Sequence, residues 1–326
     1  MRWWQSRRAR GWAYQIALVL ALLALGSWLL GNTLANMKAR GIQSGFDFLG
    51  ETAGFDIGES LLNFDSSQPY WRAFAVGLLN TLRVSLIGMV ACTVLGVLVG
   101  LGRVSTNALA RGLCYGYTEV LRNVPILLQL LMWYVLLVEW MPDSETPYHL
   151  LDTFFLSKNG LAMPWLLSSD TGWHWEVPVW ADAQVTGGAA LTPEFLAITL
   201  GLSLYTSAFV AEVVRSGIQS VPRGQIEAAQ SIGLSPWLTV RWVVLPQAMR
   251  VIVPALTNQF LNLTKNSSLA VAVGYPDVVN ISNTALNQTG RAVECIAILM
   301  GIYLLLSLLT SAAMNAYNRR VAIRER

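Results

Sequence analysis

The sequence predicts an all-α membrane protein with about six transmembrane helices, both termini on the inner side and a long insert on the outer side. Three observations predict it. The 326 residues are 54% hydrophobic and only 13% charged, against roughly one quarter charged in globular proteins. Six apolar stretches have about the length that a helix needs to cross a bilayer, at Ala13–Gly31, Phe74–Gly102, Tyr117–Met141, Phe195–Gly217, Ala248–Gly274 and Ala292–Ala316. The basic residues are also unevenly placed, which fixes orientation.

The first stretch follows Arg2, Arg7, Arg8 and Arg10. No small-residue cleavage site comes directly after it, so an uncleaved first span is expected rather than a signal peptide. With the N-terminus inside, the inner segments hold those four arginines together with Arg103, Arg111, Arg215, Arg223, Arg241, Arg250, Arg319, Arg320, Arg324 and Arg326. The outer segments hold only Lys38, Arg40, Arg72, Lys158 and Arg291, spread over longer loops. The expected organisation is a first span with an outer segment (1–73), a transmembrane domain (74–317) and a short basic tail (318–326). The domain carries an outer insert (142–194) with seven acids, four tryptophans (Trp165, Trp173, Trp175, Trp180) and five prolines. Tryptophan favours the membrane–water interface, so the insert is expected to be a structured cap lying partly on the membrane.

Between spans four and five the chain reads S-V-P-R-G-Q-I-E-A-A-Q-S-I-G-L-S-P-W at 220–237. Pro222 suits the first turn of a helix, where a missing N–H costs nothing. Gln225 to Ile232 are helix formers, with Ile226, Ala229 and Ile232 near helical spacing. Gly233 suits a left-handed C′ position. Ser235 is an N-cap and Pro236 an N1 residue for a second helix, which runs to a restart at Leu245-Pro246. A short helix, a glycine turn and a second short helix over 218–247 make a knob, with Glu227 exposed, fit to dock a soluble partner.

Several classes of chemistry lack their residues. Cys92, Cys114 and Cys295 have no metal spacing, and His149 and His174 have no ligand-like neighbour, so no metal is expected. There is no G-x-x-x-x-G-K phosphate loop and no G-x-S-x-G elbow. A membrane enzyme would need paired carboxylates or a nucleophile–base pair at one depth. A transporter acting alone would show an internal repeat and coupling acids within its spans. Neither pattern is clear, and no nucleic-acid partner is expected.

The knob resembles a known pattern. Glu227-Ala228-Ala229, three residues, Gly233, nine residues and Val243-x-Leu245-Pro246 is similar to the EAA signature of ABC importer permeases, with Val243 where the signature has Ile. Tyr205–Gln225, Leu245–Gln259, Leu263–Leu269, Arg122–Leu130 and Gly77–Leu82 resemble the polar amino-acid (histidine/glutamine) permeases. The likeness covers roughly 74–317, and the insert is similar to that of broad-range L-amino-acid permeases. The resemblance implies a multi-pass subunit of the bacterial inner membrane with a periplasmic insert. It implies pairing with a second permease (copy or sibling), two ATP-binding subunits that carry ATP and Mg, and a periplasmic amino-acid-binding protein. This chain itself would bind no cofactor. Arg223, Gly224, Glu227, Ala228, Ala229, Gly233, Leu245 and Pro246 would then form the coupling element. In this reading Gly233 allows the turn, and Ala228 and Ala229 permit close packing.

A substrate path needs polar groups at depth, where they are costly. On a helix, Asn258, Asn262, Lys265, Asn266 and Leu269 fall within an arc of about 100°, with Gln259 at its edge. Lys265 suits a substrate carboxylate, and the amide oxygens of Asn258, Gln259 and Asn262 suit an ammonium. Hydrogen bonding between helices, or Lys265 reaching to the surface, is the alternative. Permeases of the family selective for basic amino acids often have Glu at the position of Gln259, so Gln259 implies a broader range. Asn80, Thr81, Ser267 and the kink expected at Pro125 are further path candidates. Glu212 and Arg215 are expected as an i,i+3 pair near the interface, with an inner gate or a support for the knob as the alternative. Asp277 suits an outer gate or a turn, and is read as a turn residue.

Overall fold

The computed structural model describes residues 6–39, 41, 44–169, 172–181 and 184–321. Arg2 and the last five residues of the basic tail lie outside them. Ten α-helices run along the described residues. They are α1 (Arg7–Ala39), α2 (Tyr70–Arg103), α3 (Ala108–Asn123), α4 (Ile126–Glu139), α5 (Pro193–Gln219), α6 (Arg223–Ser231), α7 (Pro236–Thr239), α8 (Leu245–Asn266), α9 (Val278–Thr289) and α10 (Ala292–Val321). Four of them (α1, α2, α5 and α10) are long and apolar enough to cross a membrane, and the bent pair α3–α4 makes a fifth span if counted as one. The chain is an integral membrane protein on that ground. α8, the fifth expected span, is as long as a span but carries Arg250, Lys265 and four side-chain amides between Gln247 and Asn266 besides Asn266 itself. Its composition therefore differs from that of a lipid-facing helix.

The centre is the pair α2–α5, which run in the same direction. Gly88, Cys92, Gly96 and Gly100 recur every fourth residue on α2, and all four are buried. That stripe lets the backbones meet. A Cβ on Gly96 would lie 2.5 Å from Val210 Cβ, and one on Gly100 would lie 2.7 Å from Val214 Cβ. α8 packs antiparallel on α5, with Ile252 filling the space beside Gly217. α1 stands apart, and none of its most apolar stretch is buried.

The structure corrects the sequence reading in four places. The third expected span is two helices bent by 104°. Pro125 is the N-cap of α4 and Asn107 the N-cap of α3, its side chain accepting from Leu109 and Ala110. The fifth span ends its α-helix at Asn266 and continues as a 3-10 helix, Ser267–Val273. Asp277, read as a turn residue, caps a helix that the sequence reading lacked: its carboxylate accepts the Asn280 N–H at 2.8 Å and starts α9. The all-α expectation fails in the insert. The described residues between 148 and 191 form eight short strands: an antiparallel sheet ordered β1 (Tyr148–Leu150), β2 (Phe154–Ser157), β3 (Gly160–Met163), β8 (Ala189–Leu191), and the antiparallel pairs β4–β5 (Trp165–Ser169, Gly172–Glu176) and β6–β7 (Val179–Ala181, Gln184–Thr186). The β-branched and aromatic runs broken by Gly, Pro and Asp favour strands over helix here.

Candidate functional site

Two surfaces carry most of the residues that the sequence singles out: the α6 end of the bundle, and one face of α8. At the α6 end, Pro222 is the N-cap of α6, one position earlier than expected. The helix closes in a Schellman motif. Leu234 N–H bonds Ala229 O at 3.1 Å, and Gly233 N–H bonds Gln230 O at 2.9 Å. This closure requires the left-handed φ of +86° at Gly233, which a glycine adopts without strain. Ser235 then accepts from Leu238 N–H and starts α7.

The expected restart at Leu245-Pro246 is absent. The helix runs from Pro236 through a π turn, Val240–Val244, straight into α8. Pro246 has no N–H to give, and its ring presses on the carbonyl four residues back. A wider turn before it relieves both problems, with Leu245 N–H reaching Val240 O.

Of the α6 residues only Ala229 is buried; Arg223, Gly224, Glu227 and Ala228 are exposed. Ala228 is thus open to solvent in this chain, and Ile232, set near helical spacing with Ile226 and Ala229, is 78% exposed. α6 rests mainly on α7 and the π turn, with Ile226 packed against the cluster of Val221, Val244 and Ala248. The result is a rigid knob, capped at both ends, with a polar and apolar outer surface.

Glu212 and Arg215 form the expected i,i+3 pair, with Arg215 Nε donating to both carboxylate oxygens at 3.1 and 3.0 Å. The sequence reading missed Arg103. Its guanidinium lies 3.5 Å from Glu212, donates to the Thr118 hydroxyl and sits 4.9 Å over the Tyr115 ring. Glu212 thus joins the last turn of α2, α3 and α5, just before the chain enters α6. Only its place at the helix ends hinted at this.

On α8, Asn258, Asn262 and Lys265 are exposed, and Gln259 and Asn266 are half-buried. This stripe does not face the interior of its own bundle. Ser267 is buried off the stripe, and its hydroxyl donates to Thr264 O. Asn80 and Thr81 lie elsewhere and are committed to backbone. Asn80 donates to Glu59 O at 2.8 Å and to Pro276 O at 2.9 Å. Thr81 accepts Val278 N–H at 3.2 Å. The carbonyls freed at the Pro125 break are taken by Gln129, whose side-chain N–H groups reach Leu121 O and Val124 O at 2.8 and 2.9 Å.

At the opposite end, the segment before α2 straps the helices together. Glu59 pairs with Arg83 of α2 and accepts the hydroxyl of Thr192, the N-cap of α5. Burial pushes the Glu59 carboxyl above its ordinary value; the Thr192 hydrogen bond and the Arg83 charge oppose the shift without cancelling it. Beside the strap lies a cavity of about 380 Å³ lined by Phe55, Glu59, Thr192, Glu194, Pro276 and Asn280.

Residues 92–323 match the family described as the binding-protein-dependent transport system inner membrane component. The chain belongs to this family. The match takes in the α6 knob, the Glu212 junction and the α8 stripe. Among the relatives that cover nearly the whole chain are two named amino-acid permeases. The general L-amino acid transport system permease protein AapQ of Rhizobium johnstonii is 39% identical over 96% of this chain and 92% of its own. The glutamate/glutamine/aspartate/asparagine transport system permease protein BztB of Rhodobacter capsulatus is 34% identical over 98% of this chain and 95% of its own. A solved amino acid ABC transporter with histidines superposes with TM-score 0.58 at 27% identity, over 77% of this chain and 95% of that one.

Proposed function

We propose that this chain is the permease subunit of an ATP-binding-cassette importer that moves amino acids, over a broad range of L-amino acids, across the bacterial inner membrane. The carrying observation is the α6 knob, exposed except at Ala229 and closed at both ends. A rigid helix whose main contacts are with the segment following it is built to pass force from a soluble partner to that segment. Here that segment is continuous with α8, so a push on α6 turns the helix that bears Asn258, Asn262 and Lys265. The Glu212 junction ties α5 to α2 and α3 beside it and gives the knob a fixed base.

The partners follow from this reading. Two ATP-binding subunits, holding ATP and Mg, grip α6 from the cytoplasm. A second permease faces the α8 stripe, because amides and an ammonium are too costly to leave in lipid. A periplasmic binding protein delivers substrate to the opposite end, where the β-strand insert and the strap lie. The relatives named for general L-amino acid and for glutamate, glutamine, aspartate and asparagine transport support amino acids as cargo. Six crossings, counting α8 with its 3-10 extension, put both ends of the chain inside. The test is reconstitution of the full complex in liposomes with its binding protein. Uptake of several L-amino acids should require ATP, and Glu227→Arg should release the ATPase. Uptake by the permease without ATP would sink the proposal.

A further inference from the structure

The face of α8 opposite the polar stripe borders an apolar groove. At about 100° per residue, Leu245, Met249 and Leu256 point roughly away from Asn258 and Asn262. With Val97 and Leu101 of α2 and Met314 and Tyr317 of α10, they line a cavity of about 490 Å³ at the α6 end of the bundle. Gly217, where α5 and α8 meet closely, is its neighbour at the back. The groove therefore belongs to neither the stripe nor the knob. Its edges are half-open: Leu101 is 49% exposed, Leu245 48% and Tyr317 49%. From Leu245 to Phe260 the lining spans about 22 Å at 1.5 Å per residue, against about 15 Å for one leaflet of the ~30 Å hydrocarbon core.

The rim has the opposite character. One turn before Leu245, Arg241 and Trp242 are exposed, with the guanidinium 5.7 Å from the indole ring. Tyr317 precedes Arg319, which is exposed too. Among the described residues, neither Arg241 nor Arg319 has a carboxylate at ion-pair distance. Aromatic side chains and arginines without a carboxylate partner, at the end of an apolar slot long enough for one leaflet's acyl chain, match a headgroup above that chain. An apolar helix from a second permease would use the slot but would leave the cations unanswered.

We propose that this groove holds one anionic phospholipid of the adjacent leaflet, with an acyl chain along α8 and its phosphate between Arg241 and the end of α10. This rests on the α6 end lying at the cytoplasmic face. The lipid would back the helix that links the knob to the stripe.

Native mass spectrometry of the whole complex, titrated with phosphatidylglycerol and with phosphatidylethanolamine, tests it. Wild type should retain phosphatidylglycerol preferentially. Arg241→Ala should lower that preference about 5-fold, as expected for one basic residue at a membrane surface, while Arg241→Lys keeps it. Met249→Trp, which fills the groove and leaves the rim intact, should lose both lipids from this site. Equal retention by wild type, Arg241→Ala and Met249→Trp would overturn the proposal. So would efficient cross-linking of a cysteine at position 249 to the first helix of a second permease. Failure of ATP-dependent uptake would bear on the transport reading and leave the lipid measurement standing.

Discussion

Glu59 Oε1 lies 2.5 Å from Arg83 Nη1, and both side chains are largely buried. The pair closes a strap from the α9–α10 turn, where Gly45 bonds Glu294 and Arg291, across α2 to the Thr192 cap of α5. Removing one member of such a pair leaves a buried charge alone, typically a loss of about 3 kcal/mol. Glu59→Ala should therefore lower the thermal stability of the purified complex clearly, and Glu59→Met with Arg83→Met should recover most of it. An unchanged melting temperature in Glu59→Ala would deny the strap its structural role.

The same carboxyl sets a pH dependence. Its value is raised by burial, so the folded protein holds the proton more tightly than the unfolded chain does. Stability from this group is greatest below the ordinary value of 4.5 and falls as pH rises through the raised one. Wild type should thus gain stability relative to Glu59→Gln as pH is lowered from neutral toward 5. A difference that shrinks on acidification would contradict the sign.

Gln129 is the side chain that makes the 104° break between α3 and α4 tolerable. Its amide satisfies two carbonyls that Pro125 leaves without helical partners. Gln129→Leu keeps the volume and removes both bonds, at about 1 kcal/mol for each exposed deficit. A fall of several degrees in melting temperature is expected, with the complex still assembled. Thermal unfolding of wild type and variant side by side measures it.

The sequence made the helical knob legible because its caps are local: Ser235, Pro236 and Gly233 each act on backbone within a few residues. Apolar length found α1, α2, α5 and α10 for the same reason. The break at Pro125 was legible as a kink, but its size depends on Gln129 folding back, a contact that leaves no periodic trace. The strands at 148–191 were hidden because short runs broken by glycine and proline carry little period of either kind. Asn80 and Thr81 looked like path residues because they are polar in a span. Their partners, Glu59 O, Pro276 O and Val278 N, come from distant parts of the chain, and spacing along one helix says nothing of them.

Gly233 separates two roles of the knob, docking and stiffness. At φ +86° a side chain costs about 1–2 kcal/mol, and no neighbour lies within 4 Å of its Cβ position. Gly233→Ala should leave the ATPase bound but loosen the Schellman closure, so that ATP hydrolysis continues with less uptake per ATP. Hydrolysis and uptake measured on the same liposomes give that ratio. A ratio equal to wild type would show that the turn does not transmit force.

Gln259 and Lys265 test the stripe as a selectivity surface. Gln259 is half-buried beside the exposed Asn258 and Asn262, so a carboxylate there would face whatever occupies the space beyond this chain. Gln259→Glu adds one negative charge without changing shape. It should favour basic over acidic substrates by about 5-fold, for roughly 1 kcal/mol of charge–charge interaction at a solvent-accessible site. Lys265→Met should raise the half-saturating concentration of every amino acid carried, since it removes a cation that all of them can meet with a carboxylate. Uptake by the reconstituted complex at several substrate concentrations distinguishes the two effects. If Gln259→Glu slows all substrates equally, the residue supports helix packing, and the path lies on another face.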